Sequence, residues 1–425
     1  MRFQHVALCA LALMGGTASR ASAQDTAATG DTLRLAEAVR IALEVNPMLK
    51  SAGFSARAAA ERVGPAGALP DPELQFGLMN RMASEFGSTV DPMTMNQLQL
   101  MQTLPWPGKL GGARAAARHT ARAASADADE QARMLAAQVR MAYYDVAYAD
   151  RALEVMRGTQ ALLRQFLDVS TTMYAVGSAA QQDVLRAQVE VARMTEDITR
   201  MAQERVASAA RLDALLGRDA ASPVGALELP EPGADLPPVD SLVARALDTR
   251  PALSAGGERV AAAEASLSAA RRELYPDFQV GVQYQQRPAF PNMMSLMVGV
   301  NLPLFAGSKQ LALRRQMAAM REMSQAELAN LRNETTARVI ETHARAVRDR
   351  NLARLYRTSI LPQARAAVQA SLAGYRVGRV TFMQLIDNQM SVNRYETETY
   401  RLIADYHQAV GELEALAGQP LEGRP

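Results

Sequence analysis

Apolar and polar residues alternate strictly in four short stretches of the chain and recur every three to four residues almost everywhere else. Leu74, Phe76 and Leu78 alternate with Gln75, Gly77 and Met79, and Phe278, Val280, Val282 and Tyr284 with Gln279, Gly281, Gln283 and Gln285. A loop rich in Pro, Ser and Met follows each, then a second alternating run: Leu98, Leu100 and Gln102 in the first half, Leu296, Val298, Val300 and Leu302 in the second. A period of two with one apolar face predicts two β-hairpins. Helical patterns surround them. Residues 33–68, after Asp31 and Thr32 as caps and before Pro70 and Pro72, predict a helix ahead of the first hairpin, with its counterpart at 239–274. From Lys109 to Tyr174 the pattern is helical for about 65 residues, near 100 Å of helix, and it recurs from Lys309 to Tyr375. A return helix over 181–216 has a heptad seam of Val184, Val191, Ile198 and Leu212 with Ala187, Met194, Met201 and Leu215, interrupted by Arg205 and Ser208. Its counterpart runs through Leu385, Val392, Tyr406 and Leu413 with Tyr395, Leu402 and Leu416, a coiled-coil pattern with small and polar substitutions. Two short helices stacked end to end match the length of the single long one and can lie beside it.

The halves of the chain are copies of one plan. AVRIALEVNPML (38–49) answers LVARALDTRPAL (242–253), PELQFG (72–77) answers PDFQVG (276–281), and LPWPGK (104–109) answers LPLFAGSK (302–309). YAVG (174–177) answers YRVG (375–378), and ALLG (214–217) answers ALAG (415–418). The offset stays between about 198 and 204, so the alignment is collinear. Residues 24–216 and 239–425 read as two tandem repeats, and the five prolines in 217–238 mark an extended linker or belt between them.

Composition supports long helices over thick globular cores: aromatics are 5% of residues, with one Trp. The formal charge of +2 includes Arg2 and Arg20 in a segment expected to be removed, which leaves no basic excess for nucleic acid. That segment, 1–23, reads as a secretory signal: Arg2 and His5, an apolar run, then Ala21-Ser22-Ala23 before Gln24. Cys9 lies within it, too early for a lipoprotein site, so the mature chain is expected to carry neither lipid anchor nor disulfide. No later run reaches the ~18 apolar residues of a membrane helix, so any membrane insertion must use strands. Alternating strands of about 10 residues suit a transmembrane barrel, and by periodicity alone they suit a half-buried hairpin of a soluble domain equally well. Four strands cannot close a barrel, and a bilayer tolerates no open sheet edge, so a barrel requires several chains.

The ordered set of helix, hairpin, very long helix, tight turn and return helix, run through twice behind an export signal, resembles the TolC-type outer-membrane efflux factor family over residues 31–420. The residues that carry the resemblance are Asn46-Pro47, the turns Pro107-Gly108-Lys109 and Gly307-Ser308-Lys309, and the paired YxVG turns. The resemblance implies a mixed α and β fold: a homotrimer whose twelve strands form one transmembrane β-barrel in outer-membrane lipid, continued by a twelve-helix periplasmic α-barrel. It also implies partners, namely a periplasmic adaptor (membrane fusion) protein and an inner-membrane pump, commonly of the RND class.

By the same resemblance the YxVG tips form the tunnel entrance, with Val176, Gly177, Val377 and Gly378 as adaptor-docking residues. Turn geometry alone also accounts for the two glycines. Aligning on YxVG places Asp183 and Asp387 at acidic gate positions, Gln384 where an acid is often found, and Tyr375 within reach of Asp183 across neighbouring helical hairpins. A solvated helix surface accounts for the two Asp residues equally well. The 22 methionines include Met79, Met82, Met93, Met95 and Met101 around the first hairpin loop and Met293, Met294 and Met297 around the second. Thioethers favour copper(I) and silver(I), yet Met is also a common lipid-facing residue, and no metal site or cofactor is assigned.

Enzyme chemistry finds no constellation. His119, His343 and His407 lie in predicted helices without metalloprotease spacing, Gly108-Lys109 has Thr103 where a phosphate loop needs Gly, and neither GxSxG nor GxGxxG occurs. The reading that the resemblance implies is a passive outer-membrane exit channel of a tripartite efflux system for drugs or heavy-metal cations. Alternatives are the exit channel of a type I protein-secretion system and a soluble periplasmic coiled-coil adaptor.

Overall fold

The computed structural model describes residues 33–81, 93–220, 222–233, 235–288 and 290–421. The expected signal at 1–23, the caps Asp31 and Thr32, and Met82 lie outside them.

Each run expected to be one helix ahead of a hairpin is two helices. The first is α1 (Leu35–Val45) and α2 (Pro47–Glu61), extended by the short α3 (Val63–Ala66). A proline pushes the residue before it out of helical geometry, and Asn46 indeed sits at ψ 124°. Its side chain accepts from the Met48 N–H at 2.9 Å and donates to the Leu215 carbonyl at 2.9 Å, so the break is both capped and anchored. The equivalent pair of helices, α6 (Val239–Thr249) and α7 (Pro251–Arg272), breaks at Arg250-Pro251. Here the guanidinium makes the contacts, donating to Glu130 at 2.9 and 2.7 Å and to Thr335 Oγ1 at 2.8 Å.

Strands β1 (Glu73–Met79), β2 (Met95–Leu104), β3 (Asp277–Gln286) and β4 (Met293–Asn301) form one antiparallel sheet in that order. Every pairing joins residues of the same parity, from Phe76 opposite Leu98 to Val282 opposite Leu296. Even-numbered residues therefore share one face, where Leu74, Phe76, Leu296 and Val298 are 67 to 73% exposed. Odd-numbered residues share the other, a ladder rich in Gln. β1 and β4 are the edges.

Between β2 and the helices the PWPGK turn is locked. Lys109, 7% exposed, pairs with Asp277 at 2.9 Å and Glu273 at 3.3 Å. Trp106 donates its backbone N–H to Asp277 at 2.8 Å while its ring stacks on Tyr275 and Phe278. Helix α4 (Lys109–Ala175) then runs 67 residues without a break, about 100 Å. Among the described residues no helix is apolar enough to cross a membrane. The counterpart of α4 is interrupted: α8 (Gln310–Leu355), a π-turn at Tyr356–Ile360, then α9 (Leu361–Arg376). The return helices are α5 (Gln181–Leu216) and α10 (Phe382–Ala417). Helix α4 packs against α2 and α7 toward the sheet and against α5 and α10 away from it, so short helices do lie end to end beside the long one.

The heptad seam of α5 is buried at Ala187, Met194, Met201 and Leu212, and that of α10 at Leu385, Val392, Leu402, Tyr406, Leu413 and Leu416. The interruption at Arg205 has a partner: it pairs with Asp150 on α4 and donates to the carbonyls of Val224 and Gly225 at 3.0 and 3.3 Å. The proline-rich segment lies along the helices as a strap. Leu227 is buried, the Leu227 and Glu228 N–H groups donate to Asp150 and the Tyr143 hydroxyl, and His407 and His343 donate to the carbonyls of Pro230 and Pro237.

Candidate functional site at the helical tips

The end of the helical layer farthest from the sheet is made by two turns. Helix α4 is capped at Val176, and Gly177 follows at φ +74°; helix α9 is capped at Val377, and Gly378 follows at φ +72°. Each glycine N–H returns to the tyrosine carbonyl three residues back at 3.0 Å, and the next N–H bonds to the carbonyl of Met173 or Gly374 at 2.8 or 2.9 Å. This is the left-handed C-terminal cap that glycine adopts without strain. A side chain at either glycine would meet nothing within 4 Å, so positive φ is the whole local requirement. Val176 and Val377 project outward, 71 and 66% exposed.

Two of the four expected gate residues meet. Tyr375, on the last turn of α9, is 4% exposed, and its hydroxyl donates to the Asp183 carboxylate at 3.3 Å. Its ring packs on Phe382, inside an apolar cluster with Leu163, Phe166, Leu385 and Ile386 that binds the two helical hairpins together. Burial, then the neighbouring Asp183 charge and its hydrogen bond, push the Tyr375 hydroxyl up to about 12, so it stays protonated as a donor. Asp183 stands in the first turn of α5, where the helix dipole favours a carboxylate.

The other two have different settings. Gln384, the counterpart of Asp183 in the second copy, completes a capping box: its backbone N–H donates to Thr381 Oγ1 at 3.4 Å, and its side chain returns to the Thr381 N–H at 3.3 Å. Asp387 stands exposed one turn further along α10. The Thr-x-x-Gln signature of that box was legible in the sequence. The nearly buried Glu190, paired with Arg186 at 3.3 Å and Arg193 at 3.2 Å, had no signal beyond ordinary helix spacing.

Chemically the tips join the two hairpins through the Tyr375–Asp183 hydrogen bond and an apolar cluster. Among the described residues no three His, Cys, Asp or Glu side chains gather as a metal site.

Comparison with known proteins agrees with this architecture. The chain is similar to the cobalt-zinc-cadmium resistance protein CzcC of Cupriavidus metallidurans, 24% identical over 323 residues that cover 74% of this chain and 75% of that protein. Its fold is similar to crystal structures of CusC, at TM-score 0.78, 16% identity and coverage of 91 and 92% of the two chains. It is also similar to the outer membrane protein VceC of Vibrio cholerae, at TM-score 0.77, 18% identity and coverage of 91 and 97%. The model of the outer membrane efflux protein family matches residues 38–218 and 242–419, so the chain belongs to that family.

Proposed function

We propose that three copies of this chain form a passive duct through the outer membrane, the exit of a tripartite efflux system. The observation that carries this reading is the sheet. Its even face is apolar and exposed from edge to edge, its odd face is polar, and both edges are unpaired. In water such a sheet is a liability; in a bilayer it is one third of a barrel wall that two other copies complete. Twelve strands would then enclose the pore, with twelve helices extending it into the periplasm. Residues 24–216 and 239–425 act as the two repeated units of each wall segment, joined by the strap at 217–238.

The internal copies supply the register between chains. By the alignment of LPWPGK with LPLFAGSK and PELQFG with PDFQVG, β4 corresponds to β2 and β1 to β3. Carrying the β2–β3 register to the free edges sets Leu302 opposite Leu74, Val300 opposite Phe76, Gly299 opposite Gly77 and Met297 opposite Met79 of the next copy. Apolar residues then continue the outer face and polar ones the inner, as register requires when the two faces meet different solvents.

At the periplasmic end, Tyr375 and Asp183 act as a latch, with Gln384 and Asp387 lining the same constriction. Val176, Gly177, Val377 and Gly378 present the docking surface for a periplasmic adaptor, which links the duct to an inner-membrane pump of the RND class. Substrates are heavy-metal cations or drugs, and the likeness to CzcC favours metals. Energy comes from the pump.

Cysteine cross-linking tests the assembly, since the expected mature chain has no thiol of its own. Gly77→Cys with Gly299→Cys is expected to give an oxidised, covalently closed trimer that reduction returns to monomers, while each single variant gives none. Efficient closure only by a pair two residues out of register would overturn the register, and a monomeric mass in detergent would overturn the duct.

A further inference from the structure

The odd-numbered face of the sheet carries an unexplained bias. Its large apolar side chains are Met79, Met95, Met101, Met293 and Met297, and no Leu, Ile, Val or Phe occupies that face within the four strands. The even face uses Leu, Val and Phe throughout and Met once, at Met294. Selection for bulk or apolarity alone would draw on the branched residues that the opposite face uses freely. What methionine adds is a polarisable thioether sulfur.

The register places two of these sulfurs in one row across the sheet: Glu73 opposite Met101, Met101 opposite Gly281, Gly281 opposite Met297. Gly281 is the gap that lets them approach. A Cβ there would lie 3.5 Å from Met297 Cε and 3.7 Å from Met101 Cα, so Met297 leans over the glycine toward Met101. Adjacent strands are about 4.8 Å apart, which puts the two methionine backbones about 10 Å apart, a span that two extended thioether side chains close from both sides. The rest of this face is amide, hydroxyl and glycine, with the Asp277 carboxylate at one end of β3 paired to Lys109 and Glu73 supplying negative charge at the end of the row.

Thioether pairs select soft, low-valent cations over zinc, magnesium or calcium. We propose that the Met101–Gly281–Met297 row is a binding site for soft monovalent cations, copper(I) or silver(I), on the inner wall of the pore. As a transit site it rests on the duct reading; as a binding site it needs only the folded sheet. In the trimer register Met297 also faces Met79 of the next copy, whose neighbour within its own sheet is Met95, so each row extends to four methionines across two copies. Two thioethers hold such an ion weakly enough to release it, as a conducting path requires.

The test uses the purified full chain in detergent, titrated with Ag(I) by calorimetry and with Cu(I) under ascorbate against a chromophoric chelator, with native mass recorded for every sample. Met101→Leu/Met297→Leu, which keeps volume and apolarity, is expected to lose at least one bound Ag(I) per chain. Met320→Leu/Met323→Leu, on α8 away from the sheet, is expected to lose none. In cells the first variant is expected to lower silver tolerance and leave dye tolerance unchanged. Wild-type protein that takes up no Ag(I), or a Met101→Leu/Met297→Leu variant that binds as wild type does, overturns the site. A monomer that binds Ag(I) keeps the site and removes the duct; a trimer that does not bind keeps the duct and removes the site.

Discussion

Replacing Tyr375 by Phe deletes one hydroxyl and leaves the aromatic packing on Phe382 in place. The lost interaction is a 3.3 Å hydrogen bond to a carboxylate that is itself half-exposed. Hydrogen bonds to charged groups are worth about 1.5–3 kcal/mol at good geometry, and a long one beside solvent is better taken at about 1 kcal/mol. In the proposed trimer three such contacts make about 3 kcal/mol, which would shift the closed-to-open ratio by roughly 150-fold at 1.4 kcal/mol per decade. Single-channel recording in planar bilayers is expected to show the open fraction rising by one to two orders of magnitude for Tyr375→Phe. Asp183→Asn, a weaker acceptor, should fall between the variant and wild type, and cells carrying either should admit large antibiotics more readily. Open fractions for both variants within twofold of wild type would refute the latch. The same contact has a defined pH window. Tyr375 is pushed up to about 12 from an ordinary value near 10, so the folded tip favours the protonated hydroxyl. Its contribution is complete below about pH 10 and is lost as pH rises toward 12.

Three further outcomes follow from single contacts. Thr381→Ala removes the capping box of α10 and is expected to cost about 1 kcal/mol, read as faster amide exchange confined to the first two turns of that helix. Asp213 is fully buried with both carboxylate oxygens unpartnered, and burial raises its pKa; the folded state thus holds its proton longer than the unfolded chain, and stability falls as pH rises. Asp213→Asn should therefore raise the melting temperature, more at pH 8 than at about pH 3, below the ordinary carboxylate value, and an equal shift at both would contradict the burial argument. Gly378→Ala forces a side chain into φ +72° without any collision, so it is expected to cost about 1 kcal/mol of thermal stability, and Gly177→Ala the same.

Periodicity made the elements legible, because each has a face that meets a different neighbour. The four strands and the 67-residue α4 lie where alternation and helical spacing put them. The breaks at Asn46 and Arg250 were not read, although the prolines that cause them were visible, since an apolar stripe continues across both. The strap was legible as proline-rich chain, but its anchors were not. Arg205 looked like a flaw in a heptad until Asp150, 55 residues away, and two strap carbonyls supplied its partners. Of the tip residues, Tyr375 and Asp183 were found by aligning the turns, because a turn fixes the register of the helices that leave it. Gln384 fell at an acidic position by alignment, and its local capping geometry gives it another task.

The two copies diverge at the tips and in the helices above them. Tyr174 is 47% exposed, whereas its counterpart Tyr375 is 4% exposed and donates to Asp183. Above Tyr174 the helix is unbroken to the sheet; above Tyr375 lie Pro362 and the π-turn at Tyr356–Ile360. Proline has no N–H to give the preceding turn, and a π-turn is a local site where the helical ladder is already loosened. That turn also meets the strap, through Arg357 with Glu231, and α10, through Tyr356 against Tyr395. Bending there would carry α9 and the start of α10 as one unit, leaving α4 and α5 as the fixed wall. Amide exchange is accordingly expected to be faster across 356–362 than across 155–161, the same level of α4, and to accelerate further in Tyr375→Phe. Pro362→Ala in that background should close part of the open fraction by restoring a continuous ladder. Equal exchange at the two levels would place the moving joint elsewhere, and an open fraction unchanged by Pro362→Ala would leave the latch without its hinge.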